Sequence, residues 1–476
     1  MQCRSAARAI AVLLVAVACS EAPIPTAPST ALRAVSRTAS LSAAEAGRYL
    51  VVATSQTLPR DLAKRVQKLG GTLDATFPPI GIAVASGLYG DAAANLGKMQ
   101  GIAHVELDDD VQWITDAAEF EVENDATAVD SPASHLPPTS AGFYPRQWGM
   151  RAIGAHLAWG AGRLGSPAVT VAILDSGIDY THQSLNGLVD LARSVSFVTS
   201  DVALAQTRFP GQNLHPIVDM NRHGTHVAST VASTGHGTAG VTQLVRLVGV
   251  KVLAASGSGA TSGVLAGIMY AADIDADVIN VSLGSTFSKS AFPGRVSAIQ
   301  RAVNYAYRQG TVVVVASGNE NEDLDKLGDG FKSYCDGSTV VCVASVVPNT
   351  AAASVNGPFA AADLRAGYSN YGSAVDVAAP GGTGGNRFVW AACSSYSLLT
   401  TACQASKSFA LGISGTSMAT PHVAGLAALI VEDVGKNRPD LVRQLIRSYV
   451  DDIGASGEDA EFGKGRINVA KAVGLQ

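Results

Sequence analysis

From residue 144 onward the chain alternates short, almost wholly apolar runs with helical stretches, and this alternation limits the folds open to it more than any other feature. The runs are residues 169–174, 245–253, 278–283, 311–315, 340–345 and 375–379. Helical patterns lie between and after them, notably at 261–273, 295–308 and 418–434. A strand apolar on both sides must be covered on both faces, and parallel neighbours need helical crossovers. The expected fold class is therefore α/β, a parallel sheet with helices on both faces. Ligands of such sheets bind beyond the C-terminal ends of the strands, so that is where chemistry is sought.

A smaller unit precedes this one. Residues 48–53, 72–77, 81–86 and 102–107 read as strands, and 58–69 and 91–99 as helices. The order βαββαβ is that of a ferredoxin-like α+β fold, which alone says little about function. Residues 1–18 read as an export signal, because Arg4 and Arg8 precede a short apolar run at 9–18. The run 15–19 also resembles a bacterial lipobox ending in Cys19, with Ala16 where Leu is usual. A lipid anchor at Cys19 and ordinary cleavage near Ala18 both stay open. Residues 19–47 are rich in Pro, Ala, Ser and Thr and read as a flexible tether. Residues 115–143, acidic and broken by Pro132, Pro137 and Pro138, read as an exposed linker suited to proteolysis. Residues 144–476 then form the large α/β unit.

With a net charge of −5 and no basic cluster, nucleic-acid binding by a positive surface is unsupported. After the signal and Cys19, four cysteines remain: Cys335, Cys342, Cys393 and Cys403. An even number in an exported chain suggests disulfides. Of the three possible pairings the local ones, Cys335 with Cys342 and Cys393 with Cys403, are favoured because each closes a short loop. The spacing does not fit zinc.

Four polar residues stand where such a sheet would do chemistry. Ser417 lies in Gly415-Thr416-Ser417-Met418-Ala419-Thr420-Pro421, a turn feeding a helix of small and apolar residues. Thr416 reads as its N-cap, and Pro421 as close enough to the start to be tolerated. Asp175 ends the first apolar run, in Asp175-Ser176-Gly177. His223 opens a small-residue helix in His223-Gly224-Thr225-His226-Val227-Ala228, and Asn319 closes another run in Ser317-Gly318-Asn319. Each alone has a plain structural reading as a cap, a turn residue or a packed imidazole. The pair His223 and His226 lacks the His-Glu-x-x-His pattern of a zinc site.

Together, and in the order Asp, His, Ser, these motifs resemble the subtilisin-like serine peptidases. Gln147-Trp148-Gly149-Met150 resembles the mature start of that family, and Gly463-Lys464-Gly465-Arg466-Ile467-Asn468 its closing segment. The unit at 48–114 resembles the family's inhibitory propeptide. The resemblance implies an exported, self-processed, monomeric serine endopeptidase acting on polypeptides, either secreted or lipid-anchored at the cell envelope. It makes Ser417 the nucleophile, His223 the base, Asp175 its orienting acid, and Asn319 with the Ser417 N–H the oxyanion hole. Substrate would add as a strand between Gly257-Ser258-Gly259 and Ser282-Leu283-Gly284. The latter, with Ala316-Ser317-Gly318, would wall the pocket for the side chain before the scissile bond. These walls carry no charge, which leads to an expectation of broad specificity with apolar preference. The chemistry requires no cofactor. A structural calcium is conceivable but not locatable: Ser184 stands where many relatives have a ligand Asp, and residues 233–240 lack carboxylates.

Overall fold

The computed structural model describes residues 47–114, 119–125, 135–348, 363–384 and 387–475. The expected signal, Cys19 and almost all of the tether lie outside the described residues. The first unit runs β1 (Gly47–Ala53), α1 (Leu62–Lys68), β2 (Thr72–Phe77), β3 (Ile82–Leu88), α2 (Ala92–Gly97) and β4 (Ile102–Leu107). Its sheet has the order β2-β3-β1-β4 and is antiparallel throughout, the ferredoxin-like arrangement. Val51, Ala83 and Ala85 turn one face of the sheet onto Leu62 and Val66 of α1 and Leu96 of α2. The opposite face, through Leu50, Val52, Ile82 and Val84, joins the core of the large unit.

Two short strands continue the chain, β5 (Asp110–Gln112) and β6 (Glu121–Asn124). The large unit follows with β7 (Thr170–Asp175), α3 (His223–Val231), β8 (Arg246–Lys251), β9 (Ser258–Ala260), α4 (Thr261–Asp273), β10 (Val278–Val281), α5 (Pro293–Arg308), β11 (Val312–Ala316), β12 (Val340–Val347), β13 (Val377–Pro380), β14 (Val389–Ala392), β15 (Phe409–Ile413) and α6 (Thr416–Val434). Six strands pair in parallel in the order β13-β12-β11-β10-β7-β8. Side chains alternate across the sheet as the pleat requires. Val171 and Ile173 of β7 pack in the core formed with α3 and α6. Ala172 and Leu174 pack in the core formed with α4 and α5. Helices therefore cover both faces, as the apolar runs demand.

Two glycines set how closely the site-bearing helices approach their neighbours. A Cβ on Gly425 of α6 would sit 2.5 Å from Val241 Cβ. A Cβ on Gly224 of α3 would sit 2.1 Å from the Gly177 carbonyl oxygen, just beyond β7. No larger residue fits either place, so α6 lies tight against Val241 and α3 against the turn that follows β7.

The structure corrects the reading of 115–143 as wholly exposed linker. β6 is the third strand of a small sheet, antiparallel to β15, and Phe143 is buried in a stack on Trp390 with ring centroids 5.5 Å apart. A four-residue acidic strand has no periodicity of its own, and only its tertiary partner defines it. The Thr416 reading also changes. Thr416 is the first residue of α6, and no side-chain cap precedes it. Pro421 lies inside the helix, past the first turn, so the Ser417 carbonyl loses its intrahelical donor.

Candidate active site

β7 delivers Asp175 to the C-terminal edge of the sheet, fully buried. Its carboxylate faces His223, the first residue of α3: Nδ1 lies 2.9 Å from Oδ1 and 3.0 Å from Oδ2. Asp175 Oδ1 also accepts the Ser176 N–H at 2.7 Å. Burial pushes the imidazole pKa down, but the facing Asp175 charge and hydrogen bond outweigh it and hold His223 above its ordinary 6.5. The carboxylate also fixes Nδ1 as the protonated nitrogen and so leaves Nε2 as the acceptor.

The loop carrying His223 is built around a second buried carboxylate that sequence reading passed over. Asp219 Oδ1 accepts from Ser176 Oγ at 2.9 Å, Asn221 N–H at 3.0 Å and Arg222 N–H at 3.1 Å. Its Oδ2 accepts from the Thr225 N–H at 2.9 Å and the Thr225 hydroxyl at 2.6 Å. Burial raises its pKa. The loop closed by Cys393–Cys403 clamps the same turn from outside: Ser394 Oγ donates to the Asp219 carbonyl at 2.5 Å and Arg222 Nη1 to Thr400 Oγ1 at 2.6 Å. The other pair, Cys335–Cys342, is also bonded, so both cysteine pairings follow the sequence expectation. A lone Asp ahead of Asn221 carries no motif, and its bonds to Ser176 and to its own loop form only in the fold, so no sequence signal marks it.

α6 brings Ser417 to the same edge. Its hydroxyl donates to the Ser282 carbonyl at 3.0 Å. Ser417, His223, Asn221, Arg222, Asn319, Gly415 and Ile114 line one cleft. Asn319 Oδ1 accepts both the Thr416 N–H and the Thr416 hydroxyl, each at 2.9 Å. The amide oxygen is thereby committed to Thr416, and the Nδ2 donors are left for the cleft. His226 takes no part: its Nε2 donates to the Val389 carbonyl at 3.0 Å, and burial pushes its pKa down to about 3.

The expected substrate segments flank the cleft, and both are occupied by the chain's own residues. β5 pairs antiparallel with β9, Val111 opposite Gly259 and Gln112 opposite Ser258. The Gly257 carbonyl accepts the N–H groups of Trp113 at 3.2 Å and Ile114 at 3.3 Å. On the other side the Gly284 N–H donates to the Trp113 carbonyl at 3.0 Å. The buried Trp113 indole donates to the Gly259 carbonyl at 2.8 Å and lies edge-on to Phe287 at 5.7 Å. Residues 110–114 thus approach Ser417 as one strand. β6 lies beyond it, along β15, which leads directly into Ser414 and Gly415. Phe120 sits under the Arg222 guanidinium at 4.6 Å.

Ser282-Leu283-Gly284 and Ala316-Ser317-Gly318, which carry no charge, stand at the ends of the paired strands β10 and β11. No motif in the sequence marks the residue that stands beside them. The strand Gly330–Lys332 pairs with Thr286–Ser288 and places Lys332, 1% exposed, beside Gly318.

The place raised for calcium does not fit one. Ser184 Oγ donates to the His236 carbonyl at 2.6 Å and accepts from Thr238 Oγ1 at 3.1 Å, a neutral network with no carboxylate. Among the described residues no group of three or more His, Cys, Asp or Glu is placed to hold a metal.

Compared with known families, residues 166–465 match the subtilase family. Thermitase of Thermoactinomyces vulgaris is 36% identical over 339 residues, 71% of this chain and 99% of that one. Among solved structures, an epidermin leader peptide processing serine protease from Staphylococcus aureus superposes with a TM-score of 0.69 at 20% identity, covering 90% of this chain and 98% of that one. Fervidolysin from Fervidobacterium pennivorans, described as a keratinolytic enzyme related to subtilisin, gives 0.64 at 22% identity, covering 92% of this chain and 62% of that one. At these identities the two structures are similar in fold.

Proposed function

The chain belongs to the subtilase family and is a serine endopeptidase, and from that premise we propose that Asp175, His223 and Ser417 are its catalytic triad, made as an exported zymogen that cuts itself. The Ser417 hydroxyl turns from the Ser282 carbonyl toward His223 Nε2, which takes its proton as Oγ attacks the peptide carbonyl carbon. Charge moves onto the carbonyl oxygen, where the Ser417 N–H and Asn319 Nδ2 stabilise it. His223 then passes its proton to the leaving amine, and water repeats the sequence on the acyl-enzyme. Asp175 holds the imidazole in the productive tautomer and stabilises its charged form.

The observation that carries the zymogen reading is the path of residues 110–114, hydrogen-bonded along Gly257 to Ala260 and Gly284 and leading into the cleft of Ser417. A segment so bound is both inhibitor and substrate. Cutting it between Ile114 and Glu119 separates the first unit from the enzyme. The basic and apolar start at residues 4–18 supports export, and disulfides are suited to an oxidising compartment. No described helix is long and apolar enough to cross a membrane. Secretion and lipid anchoring at Cys19 are separated by the mass of the processed N-terminus. One chain carries the whole site, in keeping with a monomer, and its partners are polypeptide substrates and its own propeptide.

The test is labelling with a serine-directed phosphonate. One adduct at Ser417, formed after processing and abolishing hydrolysis of unfolded protein substrates, is expected. Absence of both labelling and hydrolysis would refute the reading.

The hold of the first unit on the enzyme gives a second expectation. Glu106 Oε2 accepts the Arg295 N–H at 2.9 Å and its Oε1 the Gly294 N–H at 2.5 Å, at the start of α5. Asp108 Oδ1 accepts the Ser262 N–H at 3.0 Å at the start of α4. Two carboxylates therefore sit at the positive ends of two helices. Replacing Glu106 with Ala is expected to speed release of the cut unit by about tenfold, read as a shorter lag before activity appears. An unchanged lag would mean that these caps do not hold it.

A further inference from the structure

Lys332 is the observation that the uncharged walls do not explain. Its side chain is 1% exposed, and an ammonium out of water is costly unless paired. One firm partner is present, Glu320 Oε2 at 2.7 Å, while Thr286 Oγ1 stands at the limit of a hydrogen bond, 3.5 Å. Glu320 itself is 45% exposed and is held by Asn370 Nδ2 at 2.6 Å. An ammonium has three donors, so Lys332 retains capacity for another acceptor.

Its position joins the two walls. Lys332 lies opposite Thr286, two residues beyond Gly284, and Ser333 Oγ accepts the Ser285 N–H at 2.8 Å. At the other wall, a Cβ on Gly318 (φ +104°) would meet Lys332 Cε at 2.3 Å, Nζ at 2.4 Å and Asn370 Nδ2 at 2.6 Å. Of these two nitrogens, Asn370 Nδ2 is already committed, donating to the Ser317 carbonyl at 3.0 Å and to Glu320 Oε2, so Lys332 Nζ is the one with a donor to spare. A pocket closed by a buried cation suits an anionic side chain.

We infer that Lys332 makes the pocket for the residue before the scissile bond select a carboxylate, so that this peptidase prefers to cut after Glu or Asp. The inference rests on the peptidase reading above and replaces the expectation of apolar preference. Glu320 is the resident competitor at the rim. It occupies one donor in the empty pocket and opposes the incoming charge, which tempers the selection.

The experiment uses the processed enzyme and peptides identical except for Glu, Gln, Leu or Lys before the cut. The wild type should favour Glu over its isostere Gln in kcat/KM by about tenfold or more, with Lys the poorest. Lys332→Met should bring the Glu/Gln ratio close to one while the Leu peptide is still cut. Glu320→Gln should raise the ratio above wild type. A wild-type ratio near one, or a ratio unmoved by Lys332→Met, overturns the inference. If Lys332→Met does not fold, Glu320→Gln decides it, since an unchanged ratio there rejects the role of the pair. Cleavage of Leu with a Glu/Gln ratio near one removes only the pocket assignment, whereas failure to cut any peptide removes the peptidase reading itself.

Discussion

Ser417→Ala is expected to lower kcat by about a millionfold, the scale found when a subtilisin loses its nucleophilic serine, and to leave the chain uncut between Ile114 and Glu119. The substitution removes one hydroxyl from a nearly buried position, where its present bond is to the Ser282 carbonyl. That bond contributes about 1 kcal/mol, so the fold should survive and the loss should be chemical. The contacts of His223 and Asp175 do not involve Ser417 and stay in place. The uncut variant should keep residues 110–114 against Gly257 and Gly284. Mass spectrometry of the wild type maps the cut itself. Asp116 is the single acidic residue between Ile114 and Glu119, and a carboxylate-selecting pocket predicts cleavage after it. Processing of Ser417→Ala at the wild-type rate would show that another protease makes the cut.

Much of this arrangement is legible in the chain because its signals are local. Two-sided apolar runs such as 169–174 leave few alternatives to a covered parallel sheet, and the first unit shows its strands and helices by period alone. Asp175, His223, Asn319 and Ser417 each sit at a strand end or helix start, marked by the small residues that tight packing needs. The parts that no motif marks depend on contacts made only in the folded chain. Lys332 reads as an ordinary surface lysine until Gly318, fourteen residues earlier, is found against its ammonium. Asp219 is one carboxylate among many until Ser176, Asn221, Arg222 and Thr225 converge on it. Glu121–Asn124 becomes a strand only through β15. Thr416 has the residue type of a cap, yet its N–H and hydroxyl orient the Asn319 amide instead.

Asp175→Asn should be the more informative substitution, with an expected loss of about 10⁴-fold in kcat near neutral pH. The amide has nearly the same shape, so packing in this fully buried place is retained. It carries no charge, and it can turn its NH₂ toward Nδ1. That would force the proton of His223 onto Nε2, where Ser417 needs an acceptor. The pH profile separates this from simple damage. Wild-type kcat/KM requires a neutral imidazole, so it should fall as pH drops through the pKa of His223, which lies above 6.5. Without the Asp175 charge, burial dominates, and the residual activity of the variant should show its acid limb at lower pH. Stability carries the opposite signature. A histidine whose folded pKa is raised contributes stability that is fully present below the unfolded pKa of about 6.5 and is lost as pH rises through the folded value. The Tm advantage of the wild type over Asp175→Asn should therefore be largest in mildly acidic buffer and shrink as pH rises through the raised pKa of His223. An acid limb at the same pH in both proteins would mean that Asp175 does not set the protonation of His223, and the assignment of the pair would fail.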